Sequence, residues 1–387
     1  MDFRLVTEKD DKAVRRLWSY SFNGDEPFFS WYFSQFYDRG NGLGGYENGE
    51  LLTCLHLHPY QLSLRGSSLA ASYIVGVATD PAARRGGMIR RLLTASLEEM
   101  RRRDHWVSIL MPSKAGFYAP YQWLLCYHHL VYMVKLEDLR PLAKPAGNIL
   151  YIESVTLDFF AQSYARFVAG KHGYVERTQQ DWLHRLNEHI NDRGFVYCLE
   201  MDGQPAGYIM YSFKGKTMLI KDMVYADARA QAALFSFIYG HRSQAEFIDW
   251  NAPLDDLSYL SLFDPKQDIR MYPFMTARLV DVAQALEAIR YPAELEDSLT
   301  IRVQDDMAPW NHHCFRLTVS GGQGRVEVAD QAPAQLECQV GPLTQLFFGR
   351  LSASQLWRQG ALTGQPEAVA KLGAIFPPCV TYINEYF

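Results

Sequence analysis

The sequence predicts an α/β protein built from two successive copies of one strand–turn–helix–strand unit, followed by a third domain of mixed strands and helices. Three observations carry this. The chain has 387 residues, more than a single hydrophobic core usually covers. The same order of elements occurs twice in its first three-quarters. Two stretches rich in proline and glycine or charge, "RPLAKPAGN" at 140–148 and "IRYPAELED" at 289–297, interrupt regular structure. They divide the chain into 1–140, 146–288 and 290–387.

The elements follow in order. Residues 18–37, "WSYSFNGDEPFFSWYFSQFY", are dense in rings and read as a packed helix pair, with some rings free to rim a ligand pocket. "GGYENGELLTCLHLHPYQL" is a turn-and-strand pattern, and "SLAASYIVGVATD" is a long apolar strand. An arginine–glycine turn, a helix and the strand "WVSILMPS" complete the first copy. The second begins with the hairpin "FVYCLEMDGQPAGYIMYSF", whose Asp202-Gly203 is a turn signal. "KTMLIKDMVYAD" is its long strand, "ARAQAALFSFIYGHRSQ" its helix and "AEFIDWNAP" its closing strand. This second copy has no glycines at its turn, so whatever anion the first turn holds, the second is not expected to hold. "LVDVAQALEAI" reads as a helix leading into the third domain.

Composition narrows the function classes. With 48% hydrophobic and 21% charged residues the chain reads as an ordinary soluble globular protein. A net charge of −5 speaks against a nucleic-acid partner, which needs a basic face. The start, "MDFRLVTEKDDKAV", carries acids where a secretory signal has an apolar core, and no apolar run is long enough to span a bilayer. Six cysteines (54, 126, 198, 314, 338, 379) are scattered singly, as free thiols of a reducing compartment would be. The expectation is a cytoplasmic protein with no membrane association. His56 and His58 share one strand face without an evident third ligand, so no metal is expected.

The most informative stretch is "DPAARRGGMIRRLL", residues 80–93. Ile89, Leu92, Leu93, Ser96, Leu97 and Met100 recur at helical spacing. At the far end Arg101, Arg102 and Arg103 sit where cations favour the helix dipole, and read as a solvated helix end. At the near end the first backbone N–H groups have no intrahelical partners. Gly86 and Gly87 let a ligand approach them closely, and Arg85 and Arg90 add charge, so a pyrophosphate fits. The same residues are compatible with a flexible arginine-rich turn that binds nothing. The pattern is neither G-x-x-x-x-G-K-[ST] nor G-x-G-x-x-G.

A strand, "V-x-x-D-P-x-x-R-R-x-G", a helix, a strand and then "FY" resembles the GNAT superfamily of acyl-CoA-dependent N-acyltransferases. The resemblance implies acetyl-CoA as acyl donor. Its pyrophosphate would lie on Arg85, Gly86, Gly87, Met88, Ile89 and Arg90, its pantetheine arm along Val77, Ala78 and Thr79, with Ser113 and Lys114 also touching the coenzyme. Ile89 stands where the superfamily usually has a small residue. Two such copies, "RRxGxxR", and the third-domain segments "RLVDV" (278–282), "DDMAPWN" (305–311) and "GPLTQLFFGRLSASQLWRQGAL" (341–362) resemble the enhanced intracellular survival family of acetyltransferases, in which a large residue at the Ile89 position is normal. That family implies a sterol-carrier-protein-like third domain, a homohexamer, and polyamine or aminoglycoside-like acceptors. It also implies Tyr118 in "FY" as general acid and the C-terminal carboxylate, here that of Phe387, as base. Gln122-Trp123 departs from the usual glycine and aromatic pair.

An amine acceptor is a cation, so its pocket should mix rings and acids. Asp25, Glu26, Phe28, Trp31 and Glu385 are the candidates, with Asp249, Asp255 and Asp256 of the second copy as further acids. The expected activity is acetyl transfer to a primary amine of a small molecule. Two alternatives remain: a lipid- or ligand-binding protein using the third domain, and an aminoacyl-tRNA-dependent transferase, against which the acidic balance speaks.

Overall fold

In a computed structural model, which describes residues 1–84, 86–266 and 268–386, the chain forms two compact units. The first comprises residues 1–127, 172–176 and 274–387, and the second residues 128–171 and 177–273.

The sheet of the first unit runs through Asp2–Leu5, Gly42–Glu47, Glu50–Leu64, Ser67–Thr79 and Val107–Leu110. Two-residue turns, Asn48-Gly49 (φ 52° and 83°) and Arg65-Gly66 (φ 47° and 74°), join the three central strands. Positive φ at both positions matches the right-handed twist of a hairpin. Ser67–Thr79 and Val107–Leu110 are parallel, so a crossover must join them, and the helix Met88–Arg102 supplies it. The sequence did not indicate the next neighbour: the last residues of the strand Asp268–Leu279 pair antiparallel with Val107–Leu110, Thr276 opposite Leu110 and Leu279 opposite Val107.

Alternation along the strands gives this sheet two different faces. Leu92, Leu93, Leu97 and Met100 of the crossover helix bury one face against Leu55, Leu57, Ile74 and Leu110. The other packs on the helix Asp11–Phe22 and the following rings, with Trp18, Tyr32 and Phe33 buried. The C-terminal region shares that second core. It has its own five-stranded sheet, in spatial order Gln323–Val328, Cys314–Ser320, Asp297–Gln304, Leu336–Gln339 and Leu362–Gly364, with helices Val340–Phe347, Ala353–Arg358 and Pro366–Ile375.

The second unit repeats the plan. Its sheet contains Asn148–Tyr151, Phe195–Met201, Gln204–Lys214, Thr217–Tyr225 and Phe247–Ala252, and the last two, parallel, flank the crossover helix Ala228–Tyr239. Asp202-Gly203 makes its hairpin turn, again with both φ positive. Helices Leu157–Val168 and Gln179–Asn191 are added.

The arginine run 101–103 is a solvated helix end only in part. Arg101 and Arg102 are exposed, Arg102 paired with Glu99 of its own helix, and Arg103 is half-buried. Arg101 pairs with Asp281 at 2.8 Å and lies over the Trp310 ring, while Arg103 donates to Glu99, to Asn41 and to the Gly40 carbonyl. These bonds fix the helix end to three separate segments. No helix is long and apolar enough to cross a membrane among the described residues. All six cysteines are free thiols, and five of them are buried.

Candidate coenzyme and acceptor site

The site begins with an irregularity in the strand Ser67–Thr79. Opposite Glu50–Leu64, Val75 pairs with His56 but Ala78 pairs with Cys54, so one extra residue is accommodated at Gly76-Val77. Gly76 has φ +65°, and a Cβ there would lie 2.0 Å from the Trp18 ring, so only glycine fits. The bulge resets the side-chain alternation. Tyr73, Val75 and Ala78 belong to the aromatic-face core, whereas Ile74 and Val77 belong to the cluster under the crossover helix. Parallel pairing with Val107–Leu110 ends at Ile74, just before the bulge. Val77, Ala78 and Thr79 thus run on past the end of the neighbouring strand, as an extended segment for a linear ligand to pair with.

The turn follows. Asp80 caps the short turn Pro81–Ala83 and forms an ion pair with Arg16 at 3.2 Å. Arg85 lies outside the described residues. Gly86 and Gly87 are exposed, and nothing lies within 4 Å of a Cβ built on Gly87, whose φ is +68°. Gly87 also occupies the N-cap of Met88–Arg102, and no side chain caps that helix. Its first N–H groups therefore face outward with the positive end of the dipole. Met88 is buried, Ile89 packs half-buried on the cluster under the helix, and Arg90 is exposed, reaching the Asp306 carbonyl at 3.4 Å.

Val77, Ile89 and Tyr118 pack on the same cluster. Ser113 and Lys114 are exposed in the loop after Val107–Leu110, and Tyr118 ends the single turn Ala115–Tyr118. Burial pushes the Tyr118 phenol up to about 12, so it keeps its proton through the neutral range. It has no hydrogen-bond partner among the described residues. Gln122 adopts φ +67°, the left-handed conformation that glycine takes without strain. The departure noted in the sequence thus preserves the backbone turn and adds a side chain, whose Oε1 accepts from the Gly341 N–H at 3.2 Å. Trp123 is fully buried and donates to Ser108.

On the other face the acceptor candidates separate. Phe28 and Trp31 are half-buried against the aromatic core. Asp25 and Glu26 are exposed, and Glu26 is taken up locally, accepting from the backbone and hydroxyl of Ser30. Glu385 is buried. Tyr73 is held well above the usual phenol range, first by its own burial and then by the nearby Glu385 carboxylate. The tail leading there is stitched down. Tyr382 donates to the His172 carbonyl, His172 donates to that of Val380, and the Thr381 hydroxyl donates to that of Cys126. The Tyr386 ring lies 4.8 Å from that of Phe274. Phe387 lies outside the described residues.

The acids of the second copy do other work. Asp255 pairs with Lys171 at 2.7 Å. Asp256 is a buried hub accepting from Tyr132, Tyr225, Gln231 and Ser258. Asp249 lies in the strand Phe247–Ala252, its carboxyl raised by burial.

Sequence reasoning missed the interior of the aromatic face. His56 Nδ1 and His58 Nε2 both bond the Tyr32 hydroxyl, at 2.5 and 2.9 Å, with Trp18 stacked on Tyr32 and His56. The two histidines are thus tied into an aromatic network. Burial takes His56 down to about 3, so it is neutral. No group of three or more His, Cys, Asp or Glu side chains could hold a metal ion among the described residues. The lone Gly76 inside an apolar strand was the available signal for the bulge.

Comparison with known proteins agrees with this arrangement. Residues 2–126 and 173–279 each match the acetyltransferase (GNAT) domain family, and residues 282–384 match the sterol carrier protein domain family. An uncharacterised N-acetyltransferase of Streptomyces avermitilis is 26% identical over 335 residues, 81% of each chain. A GCN5-related N-acetyltransferase from Anabaena variabilis shares the fold with a TM-score of 0.88 at 21% identity, over 100% of both chains. Eis1 from Mycobacterium abscessus does so with a TM-score of 0.80 at 22% identity, also over 100% of both. Two GNAT domains, the first with a bulged strand and an open glycine turn, joined to a sterol carrier protein domain, place this chain among the GNAT acetyltransferases, as an acyltransferase enzyme.

Proposed function

We propose that this enzyme transfers the acetyl group of acetyl-CoA to primary amines of a small polyamine or aminoglycoside-like acceptor in the cytoplasm, working as the homohexamer that the family resemblance implies. The observation that supports it most is the uncapped helix start behind Gly86 and Gly87, directly after a strand that outruns its neighbour. The pyrophosphate sits on the turn Arg85–Arg90, and the pantetheine arm pairs along Val77, Ala78 and Thr79. Ser113 and Lys114 flank the coenzyme.

The neutral amine nitrogen attacks the thioester carbonyl and forms the N–C bond, the C–S bond breaks, and the proton that the nitrogen sheds is the one that finally neutralises the departing thiolate. Tyr118 is the hydrogen-bond donor to that sulfur. A phenol near 12 is a weaker acid than a thiol of about 8.5, so complete transfer to a free thiolate is uphill. Its role is a hydrogen bond that strengthens as charge gathers on the sulfur. The acceptor ammonium is held by Glu385 and Asp25 among the rings of Phe28 and Trp31, with Glu26 at the rim. Where Phe387 is the last residue, its carboxylate takes the ammonium proton. An α-carboxyl titrates at about 3.5, so this base works through burial or an intervening water.

Mass spectrometry of the enzyme incubated with acetyl-CoA and either spermidine or an aminoglycoside tests the reading. Acetylated product is expected. A protein that binds no coenzyme would instead be a ligand-binding protein on a GNAT scaffold.

A further inference from the structure

We propose that Arg278, held in place by Asp305 of the C-terminal domain, positions the catalytic acid, an inference that rests on Tyr118 acting as that acid. Arg278, on the strand Asp268–Leu279, has no exposure. Its Nη2 donates to both carboxylate oxygens of Asp305, at 2.7 and 2.8 Å, and its Nη1 donates to the Tyr121 carbonyl at 2.6 Å. The guanidinium lies 5.0 Å from the Trp123 ring centroid. Asp305 is committed elsewhere as well, accepting from the Met307 and Ala308 N–H groups and from Asn311 Nδ2. Asn311 in turn bonds the Val280 carbonyl and the Val282 N–H. The "DDMAPWN" segment is thus a rigid mount, and Arg278 is the arm that extends from it.

What the arm holds is the loop of Tyr118. Tyr118 and Tyr121 lie on two consecutive short turns, Ala115–Tyr118 and Ala119–Tyr121. Turns this short have no helical stability of their own, so their position is set by what grips them. Two grips come from outside the first GNAT domain: Arg278 on Tyr121 O, and Gly341 N–H on Gln122 Oε1. A Cβ on Gly341 would lie 2.6 Å from that oxygen, so the contact requires glycine. A buried ion pair is a poor way to gain stability, since well-packed apolar residues of equal volume do as well or better. Arg278 Nε, moreover, is buried with no hydrogen-bond partner among the described residues. What an apolar pair could not supply is the bond to the Tyr121 carbonyl, which ties the loop to the buried guanidinium.

The test is a double-mutant cycle with Tyr118→Phe. Arg278→Lys keeps a cation facing Asp305 but cannot grip Asp305 and Tyr121 together. Misplacing a reacting group by about 1 Å can lower the rate on the order of 100-fold, so kcat is expected to fall about 10–100-fold while the KM for acetyl-CoA holds. In the Tyr118→Phe background the same change should cause no further loss, because the group it positions is gone. Losses that multiply, or an unchanged kcat in folded Arg278→Lys, overturn the proposal. Should Arg278→Lys fail to fold, as thermal melting would show, Gln122→Gly replaces it in the same cycle. Glycine takes φ +67° freely and loses only the bond to Gly341. It should lower kcat several-fold, again only when Tyr118 is present, and an unchanged kcat overturns the proposal. If Tyr118→Phe alone leaves kcat unchanged, the acid assignment fails and takes the inference with it. If Tyr118→Phe is slow and Arg278→Lys is fast, only the inference fails.

Discussion

The two GNAT domains share a scaffold and differ at one turn. In both, a long strand bulges and its parallel pairing stops just short of the bulge: at Ile74 before Gly76-Val77, and at Ile220 before Lys221. In both, a crossover helix follows. But eight residues, 80–87, separate strand and helix in the first copy, whereas only Ala226 and Asp227 do so in the second. The first helix starts on Gly87 with no side-chain cap. The second starts on Asp227, whose own carboxylate accepts from the Ala230 N–H at 2.8 Å. An anion already occupies that helix start, and it belongs to the protein. Gln231, one turn in, is held by buried Asp256. The bulged strand geometry recurs in both copies, whereas the open helix start does not.

The largest effect is expected at the proposed acid. Tyr118→Phe is expected to lower kcat by about 10²–10⁴-fold with little change in coenzyme affinity, measured by steady-state kinetics and titration. A kcat within a few-fold of the original would leave Tyr118 as a packing residue. Since its phenol titrates near 12, the pH profile should also show no alkaline decline from this group below about pH 11.

The chain end gives a smaller but more selective effect. With Phe387 as the last residue, one glycine added after it converts the carboxylate to an amide and moves the new one up to about 3.5 Å away. Activity should fall while the melting temperature holds, because every side chain is retained. A stable and fully active extended enzyme would put the base among the acids of the acceptor face.

The smallest effect concerns stability alone. His56 and His172 are both held near 3 by burial, and thus neutral. Folded values below the unfolded value of about 6.5 mean that their stabilising contribution is full above that pH and is lost as pH falls towards 3. Melting temperature should decline over that window, and His56→Gln should flatten the decline. An identical pH dependence in that variant would contradict the buried neutral assignment.

Much of the scaffold is readable from local pattern. Asn48-Gly49 and Asp202-Gly203 announce their hairpins, and the spacing of Leu92, Leu93, Leu97 and Met100 announces the crossover helix, because turn chemistry and periodicity act over a few residues. The glycine turn was legible for the same reason. What escaped depends on partners far away in sequence. Gly76 is required by Trp18, Arg101 is claimed by Asp281, and Arg278 is claimed by Asp305 and Tyr121. Asp256 was read as a pocket acid because nothing local shows that four side chains converge on it. The Tyr32–His56–His58 contact joins residues 24 and 26 positions apart, and two histidines on a strand do not announce the tyrosine between them.

The central claim is that one anion site, at Gly87, serves the whole chain. Calorimetric titration with coenzyme A tests it most directly, on the native enzyme and on the pair Gly87→Asn and Gly87→Asp. The two side chains have nearly the same shape and both tolerate the left-handed conformation, so they differ essentially in charge. The account predicts one coenzyme per chain in the native enzyme, measurable binding in Gly87→Asn, and none in Gly87→Asp, where a carboxylate faces the pyrophosphate. Two coenzymes per chain, or equal affinity in the Asn and Asp variants, would contradict it.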